Sequence, residues 1–362
     1  MSRVRLRGEE IRHFILQHVE KHPNDITKFT AEHFSITRQA ANKHLKKLTS
    51  ELALAESGHT RNRSYKLVPL SEWKRLYKIS PELAEDLVWT NDVGPVIGRM
   101  PENVLDIWHY GFTEMFNNAM DHSAGSQILV HIRRTAATTE MAISDDGIGI
   151  FKKIQTTLNL LDERHALFEL SKGKLTTDPK KHTGEGIFFT SRMFDSFDIL
   201  SGGVFFPHSF GDAEDWILER DQFQSGTTVW MKIDNHTART VKKIFDHYAP
   251  EDGDYAFSKT VVPVKLAQYG NDKLISRSQA KRVLARVELF KVVLFDFSGV
   301  ATIGPAFADE IFRVFSKEHP DMQLHAINVS SEIKRMIQRA KADTTDSGRA
   351  VDNVLQKENQ SD

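Results

Sequence analysis

One predicted helix in the middle of the chain carries a carboxylate and a carboxamide one turn apart. Glu114 and Asn118 are separated by four residues in the segment FTEMFNNAMDHS, and Asp121 follows three residues later. Residues at these spacings share one face of a helix. A carboxylate there can activate a water or another nucleophile, and a carboxamide oxygen can bind hydrated Mg²⁺ on nucleotide phosphates. The pattern therefore predicts nucleotide phosphate chemistry on this face.

A predicted strand that ends in an aspartate and two glycines follows this helix. The segment TTEMAIS alternates like a strand, and SDDGIGI ends it with Asp145, Gly147 and Gly149. A carboxylate at a strand end can accept a hydrogen bond from the exocyclic amine of a base. Glycines beside it allow the backbone to approach a planar base closely. These three residues are candidate contacts to a nucleotide.

Two later segments complete the candidate site. The segment KKHTGEGIFFT places Thr183, Gly184, Glu185 and Gly186 around the start of a predicted helix, whose free amides can bind phosphate. The segment QSGTTVWMKI begins a late strand and contains Thr228. Each pattern is weak by itself, because paired glycines also mark ordinary turns. Their order along the chain is the stronger signal.

The order of these segments resembles the GHKL superfamily of ATP-binding domains. FTEMFNNAMDHS is similar to the N-box of that superfamily, SDDGIGI to its first glycine box, HTGEGIFFT to its second and SGTTVWMKI to its closing strand. The resemblance covers about Asn103 to Asp234. It implies an α/β sandwich that binds Mg-ATP.

The resemblance implies a role for each matched residue. Asn118 would coordinate Mg²⁺, Asp145 would receive the amino group of adenine, and Glu114 would be the general base of a hydrolytic or phosphotransfer step. The segment 151–183 would be the lid that folds over ATP, and its basic portion LSKGKLTTDPKK is expected to be mobile. The other implied ATP contacts are Gly147, Gly149, Thr183, Gly184, Glu185, Gly186 and Thr228.

These roles leave the fate of ATP open. Histidine kinases of this superfamily place a phosphoacceptor His on a dimerising helical pair before the ATP domain. Residues 71–101 contain no His and no sustained heptads, so the sequence does not support a histidine kinase. Hydrolysis, transfer to a protein and binding without turnover remain alternatives.

The near-neutral charge of the chain hides two oppositely charged parts. Its 362 residues contain 48 Lys and Arg against 49 Asp and Glu. The first 70 residues carry thirteen of the basic and seven of the acidic side chains, a net charge of +6, which leaves −7 for the remainder. A basic segment in an otherwise acidic chain indicates a polyanionic partner such as DNA.

The basic segment has the periodicity of three helices and a hairpin. Its first twenty residues have one apolar helical face, and residues 26–34 predict a second, short helix. Ser35 is the predicted N-cap of a third helix, which offers Ala40, Leu45 and Leu48 to a core. Two strands around a basic tip follow. This arrangement resembles a winged helix-turn-helix domain. In such a domain the second helix of the helix-turn-helix motif enters the major groove of DNA.

The outward residues of the third predicted helix suit DNA recognition. Arg38, Gln39 and Asn42 have the donors and acceptors to contact base edges. The side chains available for phosphates or for the tip of the wing are Lys43, Lys46, Lys47, Arg61 and Arg63. A solvated basic helix and a protein-interaction module of the same fold are the alternatives.

The last third of the chain alternates predicted strands with helices, with a first strand over residues 260–266 and a buried central strand over residues 291–297. Its segments FDFSGV and PAFADEIF resemble the STAS fold of anti-sigma antagonists and, more closely, a STAS-like domain of unknown function. Anti-sigma antagonists carry a phosphorylatable Ser after the central strand, where this chain has Gly304, Pro305 and Ala306. None of these has a hydroxyl group. We therefore expect a docking domain for a protein partner, with self-phosphorylation the less favoured alternative.

The sequence as a whole predicts an α+β multidomain protein. The predicted parts are a winged helix-turn-helix domain over residues 1–70, a helical connector over 71–101, a GHKL domain over 102–245, a STAS-like domain over 255–343 and a flexible tail over 344–362. The chain has no Cys, no secretory leader pattern and no apolar stretch of membrane-spanning length. A cytoplasmic protein without a membrane partner is expected.

The leading functional hypothesis is a transcriptional regulator in which Mg-ATP binding or hydrolysis controls DNA binding. Lid closure and formation of a homodimer are the changes of state that such coupling requires. The alternatives are a Ser/Thr protein kinase and an anti-sigma-like switch, each acting on a separate protein partner.

Overall fold

The computed structural model of the chain describes residues 3–59, 62–176, 184–210, 218–249, 257–268 and 273–342. Within these ranges the protein is α+β, as the sequence predicts, with several separate β-sheets. The chain divides into two compact units. The first comprises Met1–Ile148, Met193–Ile199 and Gly226–Val241, and the second comprises Gly149–Arg192, Leu200–Ser225 and Lys242–Asp362.

The first unit begins with three helices and a β-hairpin. These elements are α1 (Arg3–His18), α2 (Ile26–Phe34), α3 (Arg38–Ser50), β1 (Leu54–Ser57) and β2 (Ser64–Leu67). The two strands pair antiparallel over their full length. Ile15, Leu45 and Tyr65 lie in the buried core that the helices and the hairpin share. The order of elements matches the prediction for the basic segment, and we call residues 3–67 the N-terminal module.

The boundary between α2 and α3 differs from the prediction. Ser35 has a left-handed φ of 51° and ends α2, because its N–H bonds to carbonyl oxygens of the last turn. Thr37 is the N-cap of α3, and its side chain accepts a hydrogen bond from Ala40 N at 3.1 Å. The prediction of Ser35 as that N-cap is therefore wrong. The core face is also shifted, since Ala41, and not Ala40, is buried beside Leu45 and Leu48.

A five-stranded sheet with the order β3-β4-β5-β7-β6 follows. Its strands are β3 (Ser71–Lys78), β4 (Gln127–Arg134), β5 (Thr138–Asp145), β6 (Ser196–Ser209) and β7 (Leu218–Asp234). Strands β3, β4, β5 and β7 pair antiparallel in that order. The parts of β6 and β7 that belong to the first unit are residues 196–199 and 226–234.

Residues 71–101 differ from the helical connector that the sequence predicts. Residues 71–78 form the edge strand β3, because they alternate between inward Trp73 and Tyr77 and exposed charged neighbours. Pairing with β4 satisfies the backbone groups of this segment. Helical structure begins only later, as α4 (Glu85–Val88), a π-helical stretch (Trp89–Val93) and α5 (Gly94–Ile97).

Helix α6 (Glu102–His122) contacts β4 and β5 of this sheet. The sequence predicts an apolar stripe on this helix at Val104, Ile107, Tyr110 or Gly111, Met115 and Ala119. All of these are buried except Tyr110, which is half-buried, so Gly111 belongs to the stripe. Burial of this stripe fixes which side of the helix remains for polar residues. The prediction of an amphipathic helix is therefore confirmed.

The described part of the second unit contains several helices and a parallel sheet. The helices that precede the sheet are α7 (Ile150–Leu158), α8 (Glu163–Ser171), α9 (Gly186–Met193) and α10 (Val241–Tyr248). The sheet has the order β10-β9-β8, with β8 (Lys259–Pro263), β9 (Val292–Asp296) and β10 (Gln323–Ile327). The prediction of a buried central strand here is confirmed by β9. The first predicted strand ends early at Pro263, which has no N–H for further pairing.

Further helices complete the second unit. They are α11 (Arg277–Leu284), α12 (Pro305–Asp309), α13 (Ser316–Glu318) and α14 (331–342), with a π-helical stretch (Glu310–Phe315) between α12 and α13. We call residues 257–268 and 273–342 the C-terminal module. None of the helices in the described ranges combines the length and apolar content needed to cross a bilayer.

Candidate functional site

Asp145 is the last residue of β5 and the centre of the polar group in the first unit. Its Oδ1 accepts hydrogen bonds from Gly147 N at 2.9 Å and from Thr227 N at 3.3 Å. Among the described residues no donor contacts Oδ2. Burial raises the pKa of Asp145, and the two backbone donors oppose this shift. The backbone thus fixes one oxygen of this carboxylate.

Two glycines bring the backbone close to this aspartate. A Cβ atom at Gly226, whose φ is +77°, would lie 1.9 Å from the carbonyl oxygen of Asp145. A Cβ atom at Gly147 would lie 2.1 Å from the carbonyl oxygen of Ser123, at the end of α6. Both contacts are far inside van der Waals distance, so neither position accepts a side chain without movement. Gly226, which the predicted site omits, is as constrained as Gly147.

The neighbouring carboxylate has a different role. Asp146 accepts hydrogen bonds from Ser126 Oγ at 2.7 Å, Ser126 N at 2.6 Å and Gln127 N at 3.0 Å. These donors, the Ser126 hydroxyl foremost, lower the pKa of Asp146 to about 2. Asp146 therefore fixes the turn that leads into β4, whereas Asp145 keeps an oxygen for another partner.

Thr228 lies on the side of the sheet away from α6. Its register partner is Ser144, and its hydroxyl donates to Ser144 Oγ at 2.9 Å. Side chains alternate along a strand, and Met231, an odd-numbered residue, lies near Gly111 of α6. Thr227 is therefore on the α6 side, beside Asp145. The sequence alone did not single out Thr227, because the register that separates adjacent threonines comes from pairing with β5.

The predicted catalytic and metal-binding residues lie together on α6. Glu114 and Asn118 are half-buried, and Asp121 is exposed. By helical geometry they line one edge of the buried apolar face. No group of three or more His, Asp or Glu within the described ranges forms a metal site made by protein alone. Mg²⁺ is usually held by one or two protein oxygens together with waters and substrate phosphates, so the carboxamide oxygen of Asn118 fits such an ion, with the predicted base Glu114 one turn away.

In the second unit, the predicted phosphate loop precedes α9. Gly184 has a φ of +74°, and a Cβ atom there would lie 2.5 Å from the backbone of Leu175. Leu175 N donates to the carbonyl oxygen of Gly184 at 3.1 Å. Gly186 is the first residue of α9, and Glu185 directly precedes it. Thr183 lies outside the described residues.

Gly149 is also in the second unit, where it caps another helix. It is the N-cap of α7 with a φ of +87°, and its carbonyl oxygen accepts a hydrogen bond from Lys153 N at 3.0 Å. A left-handed conformation at this point favours glycine. Gly149 therefore has a structural reason for its identity beside the predicted nucleotide contact.

The predicted lid segment is partly packed in the core of the second unit. Leu167, Phe168, Leu170 and Lys172 are all buried, although the sequence suggests a mobile basic segment around Lys172. The lysine ammonium lies 2.7 Å from Glu169 Oε1. Burial lowers the pKa of Lys172 in spite of this partner. Residues 163–175 are therefore built into the unit, and residues 177–183 lie outside the described ranges.

The predicted DNA-contacting residues of α3 form one surface. Arg38, Gln39, Lys43 and Lys46 are exposed along this helix. Asn42 is half-buried, and its Oδ1 accepts a hydrogen bond from Thr27 Oγ1 at 3.3 Å. Asn42 therefore ties α3 to α2, which leaves mainly its amide nitrogen for an external partner.

The hairpin holds the second part of the predicted DNA surface. Arg63 Nε lies 2.9 Å from Glu56 Oε1 on the opposite strand. This ion pair neutralises part of the charge that the sequence assigns to the wing. Arg61 lies outside the described residues. The basic surface that the structure describes is thus mainly the exposed face of α3.

The N-terminal module contacts the five-stranded sheet within the first unit. Lys232 on β7 lies 2.6 Å from Glu20 Oε2 and 3.0 Å from Glu140 Oε1 on β5. Gln17 Nε2 donates to Asp234 Oδ2 at 3.1 Å. Burial acts to lower the pKa of Lys232, but the hydrogen bonds that its ammonium donates to Glu20 and Glu140 raise this pKa. None of these residues belongs to α3, so its basic face is separate from this contact.

The C-terminal module has no hydroxyl at the position expected for a phosphorylated Ser. Gly304 is the N-cap of α12, and Pro305 is its first residue. The nearest hydroxyls have structural partners: Ser298 Oγ donates to Asp296 Oδ1 at 2.8 Å, and Thr302 Oγ1 donates to Glu332 Oε1 at 2.9 Å. Ser298 N also donates to Asp296 Oδ1, at 2.9 Å, so Ser298 stabilises the turn after β9.

Comparison with known proteins identifies one part of the chain. Residues 279–334 match the STAS-like domain of unknown function (DUF4325). The C-terminal module, with its parallel sheet and flanking helices, therefore contains a STAS-like domain. No curated protein matches the chain.

Proposed function

We propose that the chain is an ATP-binding regulator in which Mg-ATP binding or hydrolysis controls DNA binding by the N-terminal module. The observation that carries the proposal is the environment of Asp145. Two backbone amides fix one of its oxygens, glycines crowd its backbone, and its other oxygen has no donor among the described residues. This is the arrangement expected of an acceptor for the amino group of adenine.

The remaining residues of the proposed site have complementary chemistry. Asn118 would hold Mg²⁺, which would neutralise phosphate charge, and Glu114 would position and activate a water as the general base. Gly184, Glu185 and Gly186 would contact the phosphates through the amides that begin α9. Gly147, Gly149 and Thr183 would line the nucleotide, as the resemblance implies. Thr227 joins this set as a neighbour of Asp145, and Thr228 supports it from behind the strand.

The DNA-binding part of the proposal rests on charge and exposure. Arg38, Gln39, Lys43 and Lys46 present donors along one helix, which is the chemistry needed for base edges and phosphates. The net charge of +6 in the first 70 residues supports association with a polyanion. Arg61 and Arg63 would contact the sugar-phosphate backbone of DNA beside the major groove.

The coupling part of the proposal rests on two shared strands. Strand β5 carries Asp145 at its end and Glu140 near its start, and β7 carries both Thr227 and Lys232. The ammonium of Lys232 contacts Glu20 of the N-terminal module directly, and Glu140 contacts the same ammonium. A nucleotide that changes the register or tilt of these strands would therefore change the position of the N-terminal module.

The proposal is tested first by nucleotide binding. We expect the wild-type chain to bind Mg-ATP in a calorimetric titration, and we expect Asp145→Asn and Asn118→Ala to bind it at least about tenfold more weakly. Asp106→Asn is the matched control, because it changes an exposed carboxylate on the same helix outside the face of Glu114 and Asn118. Equal affinity of the wild type, Asp145→Asn and Asn118→Ala would refute the proposed site.

A second candidate function is supported by the STAS-like match at residues 279–334. A Ser/Thr kinase or an anti-sigma-like switch would use this domain to dock a separate protein, since Gly304 to Ala306 offer no hydroxyl. Radiolabelled ATP incubated with the chain and a cell extract separates the two functions. Label on a second protein favours a kinase, whereas a regulator by itself transfers none.

A further inference from the structure

We propose that Lys172 is a positioning residue for the predicted phosphate loop, Gly184 to Gly186, and that it fixes this loop to the C-terminal module. The inference rests on the proposed ATP binding and names the residues that hold the phosphate loop in position for it. Every contact that carries it lies within the second unit.

Lys172 is held by three acceptors at the centre of that unit. Its ammonium donates to Glu169 Oε1 at 2.7 Å, to the carbonyl oxygen of Arg282 at 3.2 Å and to that of Ala285 at 2.8 Å. The side chains of Lys172 and Glu169 are each 1% exposed. An ammonium group has three donors, so these contacts satisfy it completely. Two of the acceptors are at the C-terminus of α11, where a positive charge is favourable.

The backbone beside Lys172 is anchored to the same module. Thr260 Oγ1, on β8, donates to the carbonyl oxygen of Lys172 at 2.6 Å. Arg286 donates to the carbonyl oxygen of Lys174, and Lys174 Nζ donates to that of Leu289 at 3.0 Å. Side chain and backbone of residues 172–174 are therefore bound to residues at the C-terminal end of α11, to residues that follow it and to β8.

The anchored segment leads directly to the phosphate loop. Leu175 N donates to the carbonyl oxygen of Gly184 at 3.1 Å, and the left-handed Gly184 leaves no room for a Cβ atom against Leu175. The loop thus begins at a fixed distance from the anchored residues. Displacement of Lys172 would be transmitted through Leu175 to Gly184.

The helix that follows the loop is held from a second direction. Phe188 and Phe189 of α9 pack on Phe257 of the C-terminal module, with ring centroids 4.6 Å and 4.9 Å apart. Phe257 in turn packs edge-on against Phe290 at 5.2 Å. The loop therefore lies between two attachments to the same module. A partner that shifts this module would also shift the amides that begin α9.

The test compares binding of ATP with binding of adenosine, which has no phosphates. Lys172→Met by itself leaves the buried Glu169 with only the more distant Arg286, 3.5 Å from its Oε2, as a cationic partner and is expected to destabilise the fold. The double variant Lys172→Met/Glu169→Met removes both buried charges at similar volume. We expect its ATP affinity to fall at least about fivefold and its adenosine affinity to stay within about twofold of wild type. Arg313→Met, which removes a cation paired with Asp309 elsewhere in the module, should change neither.

A milder variant keeps the test informative if the double variant does not fold. Thr260→Val removes only the hydrogen bond to the carbonyl oxygen of Lys172 and should shift the ATP-to-adenosine ratio in the same direction. A folded variant with an unchanged ratio overturns the positioning role while leaving ATP binding intact. A wild-type chain that binds neither adenosine nor ATP refutes the proposed function itself, and the positioning role with it.

Discussion

The ammonium of Lys232 lies 2.6 Å from the carboxylate of Glu20, which joins the residues after α1 to strand β7. Thr228 precedes Lys232 by four residues, about 13 Å along an extended strand. Strand β7 thus carries proposed nucleotide residues and also contacts the N-terminal module. Glu140 lies 3.0 Å from the same ammonium and extends the connection to β5.

Lys232→Met is expected to uncouple DNA binding from the nucleotide. The variant removes the cation shared by Glu20 and Glu140, but it leaves α3 and Asp145 unchanged. We expect DNA affinity without nucleotide to be retained and the effect of Mg-ATP on that affinity to be reduced. Fluorescence anisotropy with a random-sequence duplex measures both. Lys74→Met, an exposed lysine of the same sheet, is the control, and an equal loss of coupling in it would argue against the Lys232 connection.

The same contact should be visible in stability. Lys232 is 29% exposed and Glu20 is 44% exposed, so the pair is only partly shielded from water. A double-mutant cycle with Glu20→Gln and Lys232→Met is expected to give a coupling free energy of about 0.5–1 kcal/mol in chemical unfolding. Added salt should reduce this value. A coupling energy of zero at low salt would mean that the contact does not hold the module in solution.

Asp145→Asn is expected to lose nucleotide binding without losing stability. Burial raises the pKa of Asp145 in the folded chain, so the folded state binds this proton more tightly than the unfolded state. Protonated Asp145 therefore favours the folded state at low pH. This stabilisation is lost as the pH rises from the pKa of Asp145 in the unfolded chain through its higher pKa in the folded chain. At neutral pH, Asn avoids a buried charge, and Tm should equal or exceed that of wild type. The difference should vanish below about pH 4.

Asp146 is expected to behave in the opposite way. The Ser126 hydroxyl and two backbone amides lower its pKa to about 2 in the folded chain. Its stabilisation is therefore present above the unfolded pKa of about 4 and is lost as pH falls towards 2. Asp146→Ala should lower Tm at neutral pH and retain adenosine binding. Thermal unfolding at pH 7 and at pH 2.5 measures the difference in Tm between wild type and Asp146→Ala. A difference that does not become smaller at pH 2.5 contradicts this assignment.

Gly226→Ala is expected to damage the proposed site through its backbone. A Cβ atom would lie 1.9 Å from the carbonyl oxygen of Asp145, and the φ of +77° disfavours alanine. We expect a loss of more than about 1 kcal/mol in unfolding free energy, together with weaker adenosine binding. Gly8→Ala is the matched control within helix α1, where the new Cβ would make contacts of 3.5 Å or more. That change should stabilise the chain by about 0.5–1 kcal/mol.

The exposed face of α3 should distinguish specific from general DNA contacts. Arg38→Ala is expected to cost about 1–3 kcal/mol of discrimination at one base position. Lys46→Ala should weaken binding to all sequences and reduce the salt slope by about 1. Lys28→Ala, an exposed lysine on α2 paired with Glu32, is the control for loss of one charge. Selection from a random duplex pool, followed by salt titration, would separate these effects.

Local pattern was sufficient for some parts of this protein and insufficient for others. The apolar stripe of α6 and the central strand β9 follow from periodicity, and both are confirmed. Residues 71–78 form a strand because β4 pairs with them, and this partner lies about fifty residues further along the chain. A partner at that separation is not visible in the segment itself.

The candidate site shows the same limit. Asp145 and Gly147 are close in sequence, so their contact could be anticipated from SDDGIGI. Which of Thr227 and Thr228 lies beside Asp145 depends on the register of β7 with β5, and this register is visible only in the structure. Lys172 looked like part of a mobile basic segment, because lysine is usually exposed. Carbonyl groups of Arg282 and Ala285, more than one hundred residues later, make it a core residue.

The central claim is that one nucleotide site controls the N-terminal module. The most direct test is the affinity of the full chain for a random-sequence DNA duplex, measured with and without Mg-ATP, in wild type and in Asp145→Asn. We expect Mg-ATP to change the affinity of wild type at least about fivefold and to leave Asp145→Asn unchanged. Identical affinities of wild type with and without Mg-ATP would contradict the account.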